Sequence, residues 1–388
     1  MQDPPSPSLL RVAGAMAPHY LLDMATLPDE LYNPEVPTDK WMDKRQVADP
    51  AFPAGSLGKL TPVHPKAEAE RIIGIPLYLM MNWLPFILPA LSWALGGWRG
   101  LIILALLLAT LSLKPVVRLL YTALHWIPAA CGVASSQLAG QYVYTERNTQ
   151  KYLSMRIVWG AGHEKLRREG KPLIFAVIPH GVAPLGITAY PAYSRLCGGA
   201  LCRWTAAPVV MKIPLVGPML RSIGYVEAKA KPISAALRQG SSVGIVLDGI
   251  AGMFQQDATK EKGYVTQRKG IAAIALKAGC PIVPVYGFGH TALWSVVTDP
   301  FGILEFLSIK LNVSLCPFYG RWFWPLGPPR RRSVLVALGE PIVCGPAVAE
   351  PSKEQVAAVH AKLMSGFTRT FDEHKHEYGW GDRELELM

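Results

Sequence analysis

Apolar positions follow three different regimes along the chain. Over residues 1–65 no helical or strand period persists, and eleven of the 34 prolines interrupt the apolar runs. This stretch reads as a proline-rich, largely irregular arm lying on the body or on a partner. Ile72–Trp98 is then a run of 27 residues without a charge, and after Arg99 and Gly100 the apolar pattern resumes over Leu101–Leu113. A spanning helix needs about 20 apolar residues. The first run is long enough, although Pro76, Pro85 and Pro89 interrupt it. The second reaches that length if Lys114 and Arg118 snorkel and the apolar run to Ala130 continues it. Gly96-Gly97-Trp98-Arg99-Gly100 suits a tight turn, so residues 66–130 are expected to form a membrane-embedded helical hairpin. Lys66 and Arg71 flank one end and Lys114 and Arg118 the other, which places both ends on the cytosolic side. The competing reading, a buried core hairpin, is disfavoured by so long a charge-free run.

From Lys171 onward, short apolar strands alternate with helical periods. Pro172–Ile178, Ser242–Leu247, Pro281–Tyr286 and Val334–Leu338 read as buried strands. Ile233–Arg238 and Lys269–Lys277 read as helices, the latter ended by Gly279. Ser352-x-x-Gln355 is a capping box opening a last helix with Val356, Val359, Leu363 and Phe367 on one face. Residues 131–388 are therefore expected to be an α/β domain with a mixed, partly parallel sheet flanked by helices.

Composition sharpens this picture. Half of the 388 residues are hydrophobic, only 17% are charged and the net charge is +11. Disorder, collagen-like and coiled-coil classes are excluded. Residues 1–65 carry −3, so the rest carries +14. A basic, apolar-rich body suits anionic ligands or a membrane surface, and no nucleic-acid motif accompanies it. The six cysteines form no CxxC, no zinc-ligand spacing is present, and residues 1–20 lack a signal-peptide pattern. A reduced, cytosol-facing protein is expected. Cys197 and Cys202 read as a reduced structural pair, and the sequon at Asn312 is set aside on the same ground.

Candidate chemistry gathers at few places. His180 follows a buried strand directly, in Ile178-Pro179-His180-Gly181, where α/β sheets bind ligands. A histidine there is placed to act as a general base, and Gly181 lets a substrate approach the backbone. The alternative is a turn histidine satisfied by backbone. A helix is expected from about Val182. Arg268 and Lys269 stand at a helix N-terminus, an arrangement that suits an anion or is simply a solvated charge pair. Phe318–Trp324, followed by Arg330, Arg331 and Arg332, suits a membrane interface or an aromatic core strand with a basic loop.

Together these elements resemble one family, the type-2 diacylglycerol acyltransferases of the glycerolipid acyltransferase superfamily. Ile178-Pro179-His180-Gly181 is similar to the family's His-Pro-His-Gly block. Lys212–Gly217 with Ser222–Tyr225 resembles its second block, and Arg268–Ile271 with Leu276–Gly279 and Pro281–Gly289 its Arg-x-Gly-Phe region and strand. Leu338–Ile342 and Phe371–Gly379 resemble its closing segments, so the likeness covers roughly residues 70–380. Two departures stand out. Ile178 replaces the first His, and Gly252 stands where the family's Pro-Gly-Gly-x-Ala-Glu block has its Glu. The superfamily's Asp, five residues after its His, is Leu185 here. Asp248, at a strand end, is the candidate replacement.

The resemblance implies a glycerolipid-acyltransferase-like fold and transfer of a fatty acyl group from acyl-CoA to diacylglycerol, giving triacylglycerol. His180 would be the general base and Asp248 the carboxylate orienting it. Pro179 and Gly181 would line the substrate site, and Arg268, Lys269 and Gly270 would hold CoA phosphates. The implied partners are acyl-CoA as co-substrate, diacylglycerol and membrane lipid, with no metal or redox cofactor and no nucleic acid. Homo-oligomerisation stays open. The implied location is the endoplasmic reticulum membrane, catalytic domain towards the cytosol, and lipid droplets. Monoacylglycerol, fatty alcohol or lysophospholipid remain alternative acceptors, and an inactive lipid-droplet scaffold the alternative class.

Overall fold

A computed structural model describes residues 18–28, 31, 38–48, 51–62, 88–110, 149–184, 196–197, 202–213, 217, 220–221, 224–254, 257, 259–297, 299–311 and 314–388. Much of the expected hairpin (66–87 and 111–130), most of the Lys212–Tyr225 block, and the expected helix from Leu185 onward lie outside these residues. The elements in chain order are β1 (His19–Asp23), α1 (Thr38–Met42), β2 (Gln46–Ala48), the apolar helix α2 (Leu88–Thr110), β3 (Arg156–Trp159), α3 (Ala161–Glu169) and β4 (Ile174–Ile178). There follow β5 (Cys202–Ala206), β6 (Val226–Glu227), α4 (Ala230–Arg238), β7 (Ser242–Val246), α5 (Ala251–Phe254), β8 (Lys260–Gly263) and α6 (Gly270–Ala278). Then come β9 (Ile282–Phe288), β10 (Ser295–Val296), α7 (Ile303–Leu311), β11 (Phe318–Tyr319), β12 (Leu335–Leu338), α8 (Lys353–Tyr378) and β13 (Glu384–Leu387).

Nine strands form one mixed sheet in the order β2-β1-β3-β12-β9-β4-β7-β5-β6. From β9 to β6 all neighbours are parallel, while β12 runs antiparallel to β9 and parallel to β3. The four apolar runs read from the sequence are β4, β7, β9 and β12. Parallel strands are covered on both faces, and β4 shows why its sequence lacks polar alternation. Ile174, Ala176 and Ile178 pack towards α4, α6 and α8, while Phe175 and Val177 pack with Trp159 and Trp204 on the other face. Gly279 caps α6 in the left-handed region, at φ 63°. Ser352 and Gln355 form the expected reciprocal cap of α8, whose Val359, Leu363 and Phe367 are buried.

Within the N-terminal segment, β1 and β2 extend the main sheet. Tyr20 pairs with Trp159 and Asp23 with Arg156. Leu22, Met24 and Trp41 are fully buried. Arg156 ties the segment down, bonding Asp23 Oδ2 at 3.0 Å and the Leu57 and Lys59 carbonyls at 3.1 and 2.7 Å. A five-residue strand broken off by Pro18 and Pro28 is too short to show a period of two, so composition dominated the reading.

In α2 the most apolar stretch is not buried against the protein at all. Gly97 interrupts it in the left-handed region, with φ +54°. A Cβ on Gly100 would collide with the Ser92 carbonyl oxygen. In a straight helix those residues would stand about 12 Å apart along the axis. The chain therefore doubles back at the Gly96-Gly97 pair.

Candidate active site

The site follows from strand order. β4 lies between β7 and β9, all three parallel, so the loops leaving their carboxyl ends converge on one edge of the sheet. These loops carry Pro179-His180-Gly181, Leu247-Asp248-Gly249 and Gly289-His290-Thr291.

His180 is only partly exposed. Its ring Nδ1 lies 2.8 Å from the Gly181 carbonyl oxygen. A carbonyl can only accept, so Nδ1 carries the proton and Nε2 keeps its lone pair. Burial lowers the imidazole's affinity for a second proton, against the Gly181 bond, which raises it. Gly181 has φ +57°, and a Cβ there would stand 3.2 Å from the His290 carbonyl oxygen. This is the place where a side chain would both strain the backbone and crowd its neighbour. The chain is irregular over residues 181–184, so the expected helix does not start at Val182.

Asp248 is fully buried beside His180, but it meets the main chain rather than the imidazole. Its Oδ2 accepts the His180 backbone N–H at 2.8 Å. Oδ1 accepts no hydrogen bond from the described residues. Burial pushes its pKa up to about 7, against the His180 N–H and the Arg268 charge. A Cβ at Gly252 would collide with this carboxyl group. One turn after Asp248, the glycine thus leaves the room that the carboxylate fills.

His290 was not singled out in the sequence, which gave it no motif of its own. It is 1% exposed, and neither ring nitrogen has a hydrogen-bond partner of good geometry among the described residues. Burial holds it down to about 4; the nearby Pro179 carbonyl opposes this and the His180 ring adds to it. Behind it, Glu261 is 2% exposed, accepts from Tyr286 Oη and Thr291 Oγ1 at 3.1 Å each, and pairs with Arg383. Only the folded chain joins β8, β9 and the C-terminal β13 in this way.

Basic groups flank the site on two sides. Arg268 is exposed and near the loop after β7, since a Cβ at Gly249 would stand 3.7 Å from its Nη2. Lys269 is exposed next to it, and a Cβ at Gly270 would meet nothing within 4 Å. On the other side, Thr291 borders an open cleft of about 330 Å³ lined also by Ser295, Asp257, Arg330, Arg332 and Arg383. Lys262 lies 3.8 Å from Asp257. Among the described residues Arg330 and Arg332 pair with no carboxylate, and Arg330 lies over the Tyr319 ring at 5.4 Å. The aromatic run is no core strand beyond Tyr319, because Trp322, Phe323 and Trp324 are exposed. α7 packs on α5 and exposes Ile303, Phe306 and Ile309.

His180 thus stands at a strand end with its Nδ1 engaged, beside a buried carboxylate and between basic side chains. Comparison with known proteins gives the class. The family model described as diacylglycerol acyltransferase matches residues 123–388. The chain belongs to the diacylglycerol acyltransferase family, a family of acyltransferases acting on lipid acceptors. It is 29% identical over 227 residues to a 2-acylglycerol O-acyltransferase 1 of Bos taurus, covering 54% of this chain and 68% of that protein. It is 30% identical over 228 residues to an acyl-CoA wax alcohol acyltransferase 2 of Homo sapiens (54% and 68%). It is 27% identical over 230 residues to a diacylglycerol O-acyltransferase 2 of Xenopus tropicalis (55% and 63%).

Proposed function

We propose that the chain transfers a fatty acyl group from acyl-CoA to the free hydroxyl of diacylglycerol, with His180 as general base. The observation that carries this is the His180 Nδ1 contact with the Gly181 carbonyl, which leaves Nε2 free at the strand end. An alcohol is a poor nucleophile near neutral pH. Nε2 takes its proton as the oxygen attacks the thioester carbonyl. The tetrahedral intermediate then collapses, the C–S bond breaks, and the imidazolium returns the proton to the departing CoA thiolate. Asp248 holds the His180 backbone, and with Gly252 open beneath it, it takes over the place of the missing family Glu. Arg268 and Lys269 hold CoA phosphates, with Gly270 giving backbone clearance at the same helix start. The cleft of Arg330, Arg332 and Arg383 offers a second anionic seat.

Membrane attachment by a hairpin fits two observations. The turn at Gly97 folds α2 back on itself. β1 precedes α2 and β3 follows it, yet the two pair in one sheet, so both flanks of the apolar segment return to the same side. The bare apolar residues of α7 and Trp322–Trp324 then face lipid beside the site and give the acceptor a route to His180. The endoplasmic reticulum, cytosolic orientation and lipid droplets remain part of this reading.

Acceptor choice is the open arm, since relatives named for 2-acylglycerol and for wax alcohol are as similar as the one named for diacylglycerol. Expression in cells lacking neutral-lipid synthesis, with lipid profiling, tests it. Triacylglycerol should return with the wild type and fail with His180→Ala. Wax ester or diacylglycerol alone would reassign the acceptor. No product with any acceptor would support a scaffold, the reading that Gly252 favours and His180 opposes.

A further inference from the structure

At the opposite edge of the sheet from His180, the first described strand meets the last helix through His19, Glu373 and His374. We propose that these three side chains bind a zinc-class divalent cation that clamps the N-terminal strand to α8. One donor atom from each lies within 4.8 Å of the others. Two imidazoles and a carboxylate suit zinc rather than magnesium or calcium. Ligands about 2.1 Å from a tetrahedral zinc stand roughly 3.4 Å apart, so side-chain movements of about 1.5 Å close the set.

His374 has the surroundings that metal-bound histidines have. It is 2% exposed, and its Nδ1 is 2.6 Å from Glu377 Oε2. That bond orients the ring and leaves Nε2 for a ligand, as a carboxylate behind a metal-bound histidine does. Glu377 is itself fixed, its Oε1 accepting the Phe52 N–H at 2.8 Å. His19 faces His374 with ring centroids 5.0 Å apart. Glu340 stands in the same neighbourhood, since a Cβ on Gly160 would lie 3.9 Å from both Glu340 Oε2 and His19 Cδ2.

The site has a structural use. β1 is the strand through which the N-terminal segment joins the core, and its His19 end lies at Trp159, where β3 stops. Zinc would join that end to the last helix, α8. No spacing motif announces it, because its donors come from the two ends of the chain.

The test uses the full-length protein in detergent, stripped with chelator, incubated with zinc sulfate and desalted. Elemental analysis should find about one zinc per chain, and large excess magnesium should not displace it. Cobalt(II) should give a visible ligand-field band. The double variant His19→Gln with Glu373→Gln changes no deeply buried group and should melt like the stripped wild type. It should lose the zinc and the cobalt band. Zinc should raise the wild-type melting midpoint by about 4 °C and leave the double variant unmoved. Equal uptake by wild type and double variant, or none by either, would overturn the proposal and leave His374 as the plain partner of Glu377. Uptake without a rise in melting would overturn the clamp.

Discussion

At His180 the hydrogen bond to Gly181 selects the tautomer, and burial keeps the ring neutral. In the proposed mechanism the neutral form is the base, so kcat should rise with pH and reach half its plateau below 6.5, the ordinary histidine value. A midpoint above 6.5 in a pH–rate profile would count against this. Asp248 calls for a pair of variants. Because its contact is with a backbone N–H, Asn can still accept that bond through Oδ1, whereas Ala cannot. Asp248→Asn should keep kcat within about tenfold, and Asp248→Ala should lose about a hundredfold with a lowered melting point. The linkage has a definite sign. The folded state holds the Asp248 proton up to about 7 and an ordinary Asp loses it near 3.8, so more protons are bound folded than unfolded between those values. Stability conferred by this group is thus full below about pH 3.8 and is lost as pH rises towards 7. Asp248→Asn should remove that loss, so its melting point should exceed the wild type's at pH 8; equal melting there would refute the buried charge.

Elements show what the sequence could and could not tell. β4, β7, β9 and β12 were legible because strands covered on both faces are continuously apolar. α8 was legible because Ser352, Gln355 and its apolar stripe agree. β3 and β5 were not, since Arg156 and Arg203 sit within them and are satisfied only by partners distant in sequence, and the five residues of β1 are too few to show a period. His180 and Asp248 could be found from strand ends. His290 could not, because its place near His180 comes from β9 lying beside β4, which is a fact of topology. The same holds for the loop before β12, where Arg330 and Arg332 reach the Thr291 cleft. Replacing both with Gln should raise the apparent KM for acyl-CoA about tenfold with kcat little changed, as measured by initial rates at saturating acceptor. An unchanged KM would leave the phosphates to Arg268 and Lys269.

For the molecule as a whole, the N-terminal segment is part of the fold. Leu22, Met24 and Trp41 lie in the same core as Trp159 and Phe175. Losing each large buried side chain costs about 2–5 kcal/mol, against about 5–15 kcal/mol for an entire domain. Deleting residues 1–62 should therefore abolish cooperative melting and leave the remainder open to limited proteolysis, while a dispensable arm would leave both unchanged.

The pairing of β1 with β3 also sets an order of events during synthesis. Leu21 leaves the ribosome 137 residues before its partner Val158. At about 5–20 residues per second that is a wait of about 7–27 seconds. During it the apolar stretch around Leu88–Thr110 emerges. With the proposed membrane attachment, the nascent chain would meet the bilayer before the main sheet exists, and β1, with only β2 beside it, would wait on the side of the membrane where β3 later arrives.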